Sequence, residues 1–218
     1  MAKINKSDIL FIFAILIVAI ISFLINDRLS AIISSIFGII YTILIGKGKI
    51  EGYYFGIIGT LFGSYLSFDL MLWGNFLLHF FYYFPMEIIG FFKWRSNFDK
   101  KTHSVIKTKL NRKEILPIIV VILLLLLFLY FIFIKTNNKS PFFDSAIVVF
   151  SALAMYLTVK RCFEQWFVWT MVNILSVMMW FDLFVKGEKI FSVFAVRIIY
   201  FILGIYFFYK WKKEQINL

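Results

Sequence analysis

Long, uncharged and mainly apolar runs recur along the chain, and most of its charged residues lie in the shorter segments between them. A bilayer core requires about 20 apolar residues for one helical crossing. The pattern therefore predicts eight transmembrane helices and an all-α polytopic membrane protein. The predicted crossings are residues 9–25, 29–45, 52–68, 70–94, 115–134, 142–158, 166–182 and 190–211.

The composition excludes an ordinary soluble domain. Of the 218 residues, 62% are apolar and 16% are charged, whereas soluble domains are about half apolar and a quarter charged. The crossings leave no segment long enough for a separate aqueous core. The single Cys162 excludes a disulfide within the chain and a metal cluster of several cysteines.

The positive charges predict the orientation in the membrane. If the N-terminus is cytoplasmic, 17 Lys and Arg residues lie on the cytoplasmic side and 5 on the opposite side. This is the usual bias of membrane proteins, so both termini are predicted to be cytoplasmic. The first apolar run lacks a signal-peptide cleavage site, and we expect it to remain as an anchor helix.

The longest charged loop, from Lys93 to Lys113, contains eight of these cations. It lacks the interleaved aromatic residues of a surface that binds single-stranded nucleic acid. We therefore predict no nucleic-acid partner. The loop is interpreted as a topological signal that also contacts lipid headgroups.

The two halves of the chain align with each other. A shift of 113 positions places Lys47 on Lys160, and a shift of 117 in the third helix of each half places Trp94 on Trp211. We infer a duplicated three-helix unit, with one extra crossing that gives both copies the same direction. The predicted parts are an anchor helix (1–28), a first three-helix bundle (29–95), a basic loop with a linker helix (96–141), a second three-helix bundle (142–213) and a tail (214–218).

Polar side chains at membrane depth are costly and are candidate site residues by default. In the seventh crossing, steps of three or four residues place three tryptophans and one amide on a single helical face. A planar ring stacked on an indole would gain about 0.5 to 1.5 kcal/mol beyond area burial. The same pattern also fits plain helix packing. This face comprises Trp166, Trp169, Asn173, Val177 and Trp180, and its counterpart in the first half comprises Tyr53, Gly56, Thr60, Ser64 and Ser67.

The fourth crossing carries a second set of polar positions, and Pro85 within it predicts a kink. Glu87 is a candidate ligand of a solute, with a salt bridge to Arg197 or a hydrogen-bonded protonated carboxyl as alternatives. Tyr200 joins the candidates because it matches Tyr83 in the repeat. The polar positions of this crossing are Asn75, His79, Tyr82, Tyr83 and Glu87.

Other unusual residues receive structural interpretations. Arg197 is predicted to snorkel towards the membrane surface or to pair with Asp182. Tryptophans near the helix ends are assigned to an aromatic belt at the membrane surface. They are Trp73, Trp94 and Trp211.

Motifs of enzymes are missing from the sequence. It contains no Gly-rich phosphate loop, HExxH, GxSxG or paired-cysteine motif. His79 and His103 are too far apart in the chain to suggest a zinc site. We therefore predict no catalytic residues, no metal ion and no cofactor.

Two stretches of the chain resemble the PnuC-type family of bacterial vitamin transporters. The first runs from Tyr82-Tyr83-Phe84-Pro85-Met86-Glu87 to Trp94, and the second runs from Lys160-Arg161 through Trp166 and Trp169 to Asn173. Together with the repeat, the resemblance covers about residues 29–211. Position 87 departs from the pattern, because many riboside transporters of this family are expected to carry Gln there.

The resemblance implies a three-one-three helix arrangement like that of SWEET sugar transporters, in the bacterial cytoplasmic membrane. It implies a homotrimeric uniporter for nicotinamide riboside, without ion coupling, and a cytoplasmic kinase that traps the substrate by phosphorylation. The ring and amide would contact Trp166, Trp169 and Asn173, with Tyr83 and Glu87 on the opposite side. The full candidate set is Trp166, Trp169, Asn173, Tyr83, Glu87, Tyr82, Asn75, Tyr53, Thr60, Trp180 and Tyr200.

Three alternatives remain open from the sequence. The solute could be thiamine, riboflavin or a deoxynucleoside, since the Glu87 carboxylate would also favour the thiazolium of thiamine. The protein could be a membrane scaffold whose polar residues only lock helices together. It could also be an intramembrane enzyme that uses Glu87 and His79.

Overall fold

The computed structural model describes residues 6–135 and 141–216, and almost all of them are helical. Two short strands, β1 (Phe98–Asp99) and β2 (Ser104–Val105), pair antiparallel between the fifth and sixth helices. The helices are α1 (Lys6–Leu24), α2 (Leu29–Gly46), α3 (Gly52–Asp69), α4 (Trp73–Leu77), α5 (Phe84–Arg95), α6 (Arg112–Lys135), α7 (Pro141–Val159), α8 (Gln165–Val185) and α9 (Phe191–Ile216).

Helices occupy all eight segments that the hydrophobic pattern predicted, within a few residues at each end. In the part of the chain that the structure describes, four helices are long and apolar enough to cross a membrane by themselves. They lie at residues 29–46, 112–135, 141–159 and 191–214, and shorter apolar helical stretches lie at 11–24 and 165–181. A mainly helical membrane fold is thus confirmed, and the count of eight crossings stays a prediction.

The fourth predicted crossing is continuous but is not a uniform α-helix. A π-helical segment, Leu78–Tyr83, connects α4 to α5, and Pro85 follows at the start of α5. Proline has no N–H to donate to the carbonyl four residues earlier. The widened turns lie directly before this missing donor. Such π segments occur frequently at functional sites.

The helices form two groups with matching contacts. In the first group, α3 packs against α2 and α5; in the second, α8 packs against α7 and α9. The groups meet where α2 packs on α9 and where α5 packs on α7. α1 lies against α2 and α9. α6 packs along α7, and none of its residues is buried, as expected for a linker helix at the edge of the fold.

Two tryptophans connect the groups at the predicted cytoplasmic end. The Trp94 indole donates to the Thr158 carbonyl oxygen at 2.9 Å, and the Trp211 indole donates to the Gly46 carbonyl oxygen at 2.8 Å. Both side chains are fully buried. Their assignment to an aromatic belt was therefore wrong, because helix packing covers these two indoles. Trp73 is more than half exposed.

The basic loop is ordered, and we call residues 97–111 the strap. The strap crosses the predicted cytoplasmic end and contacts both groups of helices. The Val105 amide donates to the Gly48 carbonyl oxygen at 2.9 Å, and the Arg161 Nε donates to the Ile106 carbonyl oxygen at 2.9 Å. Thr108 pairs with Cys162, whose side chain is fully buried beneath it. The loop is thus a structural connection and not only a topological signal.

The predicted outer end also has specific connections. The Arg28 guanidinium forms ion pairs with Asp69 and with Glu188, and the hydrogen bond to Glu188 raises the pKa of Arg28. The Asp27 carboxylate accepts hydrogen bonds from the backbone amides of Phe191 and Ser192, which begin α9. A carboxylate in this position caps the helix. The loop that follows α1 therefore fixes the start of the last helix.

Candidate substrate-binding site

A cavity lies between the two groups of helices, with walls formed by α2, the segment from α4 to α5, α3, α7, α8 and α9. Its volume is about 140 Å³. Its lining combines aromatic rings with hydroxyl, amide and charged groups. Small residues on α3 allow neighbouring helices to approach, since a Cβ at Gly56 would lie 2.6 Å from the Tyr41 ring.

Three polar residues form an inner layer of the cavity: Thr60, Glu87 and Asn173. Each lies eight residues from the predicted cytoplasmic end of its helix, which is about 12 Å at 1.5 Å per residue. The Thr60 hydroxyl donates to Glu87 Oε1 at 2.9 Å. Glu87 Oε2 and Asn173 Oδ1 are buried and have no hydrogen-bond partner among the described residues.

An aromatic contact connects the two groups beside this layer. The rings of Tyr83 and Trp169 lie 6.0 Å apart at an interplanar angle of 58°. The Trp169 indole is oriented by a hydrogen bond to Thr158 Oγ1 at 3.0 Å. Tyr200 lines the cavity from α9. The repeat-related tyrosines 83 and 200 therefore both contribute to the same cavity.

Trp166 lies deeper than Trp169, at the floor of the cavity. Its ring packs against Phe207 at 5.0 Å and against Trp211 at 5.8 Å. Only 3% of its surface is exposed, so most of its area serves helix packing. Its indole N–H has no partner in the described part of the chain.

An outer layer lies above the tyrosines. Trp180 is seven residues beyond Asn173 on α8, which corresponds to about 10 Å along the helix. The Arg197 guanidinium carbon lies 5.9 Å from the Trp180 ring and 5.8 Å from the Tyr200 ring. His79, in the π segment, lines the same cavity and packs on Tyr83 with ring centroids 5.2 Å apart.

The structure places nine of the eleven predicted site residues in the cavity lining. Asn75 lines it with its amide nitrogen 4.0 Å from Met179 Sδ. Tyr82 lies outside the lining, and its hydroxyl donates to the Ala152 carbonyl oxygen at 2.8 Å. Tyr53 lies behind the wall, fully buried, with its ring 5.3 Å from Trp94. The nine lining residues are Thr60, Asn75, Tyr83, Glu87, Trp166, Trp169, Asn173, Trp180 and Tyr200.

Sequence reasoning missed Arg197 as a cavity residue. The Thr60 hydroxyl donates to Glu87, and among the described ion pairs none joins Glu87 to Arg197, so the salt-bridge alternative for Glu87 is not observed. The side chain of Asp182 is not among those that the structure describes, so the predicted pairing of Arg197 with Asp182 stays a prediction. A cation two turns inside a predicted crossing was itself a signal of a site. Further lining residues that the sequence did not single out include Ser34, Tyr41, Ser151, Gln165 and Ser176.

Unpartnered polar atoms concentrate around this cavity. A buried donor or acceptor without a partner destabilises a protein by about 1 to 3 kcal/mol. Binding of a solute or water that forms these hydrogen bonds is therefore favourable. Rings, amides and hydroxyls on one small molecule would match the lining. Within the described residues, no three His, Cys, Asp or Glu side chains lie close enough to hold a metal ion. The lining atoms without a partner among the described residues are Ser35 Oγ, His79 Nδ1, Glu87 Oε2, Gln165 Oε1 and Nε2, Trp166 Nε1, Asn173 Oδ1, Trp180 Nε1 and Arg197 Nε.

Comparison with protein families gives a match that covers most of the chain. Residues 28–213 match the model of the nicotinamide mononucleotide transporter family. The chain belongs to this family. Its members are transporters, so the protein functions in transport and not in catalysis, and the resemblance found in the sequence is confirmed.

Individual relatives of this family are similar over most of their length. The nicotinamide riboside transporter PnuC of Neisseria mucosa is 27% identical over 86% of this chain and 73% of its own length. The protein of the same name from Haemophilus influenzae is 28% identical over 86% of this chain and 80% of its own length. The crystal structure of the vitamin B3 transporter PnuC superposes with a TM-score of 0.85, at 24% identity, over 98% of this chain and 93% of that one. This likeness confirms the fold.

Proposed function

We propose that the protein mediates facilitated uptake of nicotinamide riboside across the bacterial cytoplasmic membrane, and that a cytoplasmic kinase traps the riboside by phosphorylation. The relatives from Neisseria mucosa and Haemophilus influenzae carry the name of this activity. The cavity adds independent chemical support. It lies between two groups of helices, where a transported solute is expected.

The observation that carries the proposal is the inner layer beside the Tyr83–Trp169 contact. In this proposal, Trp169 and Tyr83 contact the faces of the pyridinium ring, and Asn173 bonds to the carboxamide. The Glu87 carboxylate, with one unpartnered oxygen, attracts the positive charge of the ring. A cation near a desolvated carboxylate and aromatic faces is favoured by both.

The proposed mechanism is rocking of two bundles, residues 29–95 and 142–213, around this site. The repeat is supported by symmetric contacts, because each third helix donates a tryptophan hydrogen bond to the end of the first helix of the other bundle. The proposal retains eight crossings, both termini in the cytoplasm and residues 96–141 as the connection. It also retains the homotrimer, for which the exposed apolar surface of α6 offers a contact area.

Uptake of labelled nicotinamide riboside into proteoliposomes tests the proposal. Trp169→Ala should weaken riboside binding about tenfold or more, because the stacked area and the ring contact are lost together. Intrinsic tryptophan fluorescence of the purified protein measures the affinity. Trp73→Ala, which removes an exposed indole outside the cavity, is the matched control and should bind normally. Unchanged uptake by Trp169→Ala would contradict the assigned site.

A second solute is favoured by one specific residue. The Glu87 carboxylate attracts any cationic ring, so thiamine is the main alternative to nicotinamide riboside. Competition by nicotinamide riboside, thiamine, riboflavin and deoxynucleosides against labelled riboside separates these solutes. A membrane scaffold predicts that none of them raises the unfolding temperature, since only a binder gains stability from its ligand.

A further inference from the structure

The outer layer of the cavity contains a charged side chain to which the proposed function assigns no role. Arg197 lines the cavity from α9, and its guanidinium lies over the rings of Trp180 and Tyr200. Its Nε is buried and has no hydrogen-bond partner among the described residues. An Arg side chain has donors only and stays charged. Its partner must therefore be an oxygen or another acceptor.

A second unpartnered donor lies in the same layer. The buried Trp180 Nε1 also lacks a partner in the described part of the chain, and indole nitrogens can only donate. Two buried donors, one of them charged, thus line one end of the cavity. An acceptor-rich group, such as the hydroxyls of a sugar, satisfies both.

The inner layer has the opposite character. Its unpartnered atoms, Glu87 Oε2 and Asn173 Oδ1, are acceptors, and one belongs to a carboxyl group. Seven residues of α8 separate Asn173 from Trp180, or about 10 Å along the helix. The inner layer therefore presents acceptors at Glu87 and Asn173, and the outer layer presents donors at Arg197 and Trp180, besides the Trp166 donor at the floor and His79 Nδ1 in the outer layer. The distance between the two layers suits a ring joined to a sugar.

We propose that Arg197 is a substrate-binding residue that, together with Trp180, binds the oxygen-rich end of the solute and fixes its orientation. The cationic ring then lies towards Glu87, and the sugar oxygens lie towards Arg197 and the predicted outer end. This inference rests on the proposed function, since it takes a riboside as the solute. It extends that function by adding a specificity determinant for the sugar.

Binding of two probes to the purified full-length protein tests the inference. Nicotinamide riboside carries both ring and sugar, whereas 1-methylnicotinamide keeps the cationic ring and carboxamide but has a methyl group in place of the sugar. Arg197→Met should weaken riboside binding about tenfold or more, the usual loss for a hydrogen bond to a charged group. It should leave 1-methylnicotinamide binding unchanged. Arg197→Lys, which keeps the charge, should restore part of the riboside affinity.

Arg95→Met is the matched control, because Arg95 is exposed at the end of α5 and outside the cavity. Equal loss of both probes in Arg197→Met, or no loss of either, would overturn the inference. If Arg197→Met does not fold, the affinities of the unchanged protein for the two probes still test the inference. The unchanged protein must bind the riboside more tightly than 1-methylnicotinamide, and equal affinities would overturn the sugar contact while leaving transport intact. Failure of the unchanged protein to bind the riboside would overturn the proposed function itself.

Discussion

Glu87 is a carboxyl group at a depth where membrane proteins rarely place one. It is 4% exposed, one oxygen accepts from Thr60, and the other lacks a partner in the described residues. Such groups are costly and are retained mainly at sites of binding or transport. A carboxylate also distinguishes between cationic and neutral rings, which an amide cannot do as strongly. In the proposed function, this residue therefore determines the preference for a cationic solute.

Replacing Glu87 with Gln should reduce the affinity for nicotinamide riboside about tenfold, because the ring loses a charged partner. Binding of a neutral deoxynucleoside should not fall. The unfolding temperature should not decrease, since Gln can still accept from Thr60 and removes a buried ionisable group. Competition binding and thermal unfolding measure these effects. Glu51→Gln, at an exposed carboxyl, serves as control, and an equal loss for both solutes would contradict a charge-based role.

For single residues, the sequence predicts which helical face a side chain lies on better than it predicts what surrounds that side chain. Helical spacing placed Trp169, Asn173 and Trp180 on one face, and the structure brings all three to one cavity. Trp94 could not be assigned from its position, because a buried indole and a belt indole both lie near a helix end. Arg197 was missed for a related reason. An arginine that snorkels to the membrane surface and an arginine that lines a cavity look the same in the sequence.

Among the elements, the contact of α3 with α5 depends on a glycine. Tyr53 is fully buried against α5, and a Cβ at Gly90 would lie 2.5 Å from its ring. No side-chain carbon fits at that distance. Gly74, by contrast, faces ordinary van der Waals space, with Phe133 at 3.5 Å from the position of a Cβ.

Gly90→Ala should therefore lower the unfolding temperature, because overpacking costs about 1 to 3 kcal/mol and exceeds the gain of about 1 kcal/mol in helix propensity. Gly74→Ala makes the same chemical change without the clash and should be neutral or stabilising. Thermal unfolding in detergent compares the two variants. Equal effects would show that Tyr53 moves aside and that the contact does not fix the two helices.

The helices themselves could be predicted because apolar runs of crossing length are an unambiguous signal. The π segment and the strap could not. The strap is held by backbone hydrogen bonds, such as the one from Val105 to Gly48. Backbone hydrogen bonds do not require particular side chains, so they leave no pattern in the sequence. The π segment arises where Pro85 removes one donor from the helix, and the sequence predicts a disturbance there without its form.

For the whole molecule, the reciprocal bonds of Trp94 and Trp211 are a matched pair among the contacts between the two groups. Each indole reaches the last turn of the first helix in the opposite group. The two interactions are chemically alike and lie at the same end of the molecule. They should therefore contribute similarly to the packing of the two groups at that end.

Trp94→Phe and Trp211→Phe should each lower the unfolding temperature, because the indole hydrogen bond, about 0.5 to 1.5 kcal/mol, and part of a buried ring are lost. The double variant should depart from the sum of both effects, because the two rings lie 6.2 Å apart and the effects of contacting residues are coupled. Trp73→Phe, at an exposed position, should change little. A large effect of one substitution and none of the other would argue against the equivalence of the two halves.

Because Cys162 is buried beneath the strap, the reactivity of its thiol reports movement of the strap. Cys162 is the one cysteine of the chain, its Sγ lies 3.5 Å from the Thr108 hydroxyl, and burial raises the pKa of its thiol. A maleimide can react only while the strap is lifted and the thiolate is formed. The rate at which a maleimide labels the unaltered protein, with and without substrate, therefore measures how often the strap moves away from Cys162. No engineered probe is needed.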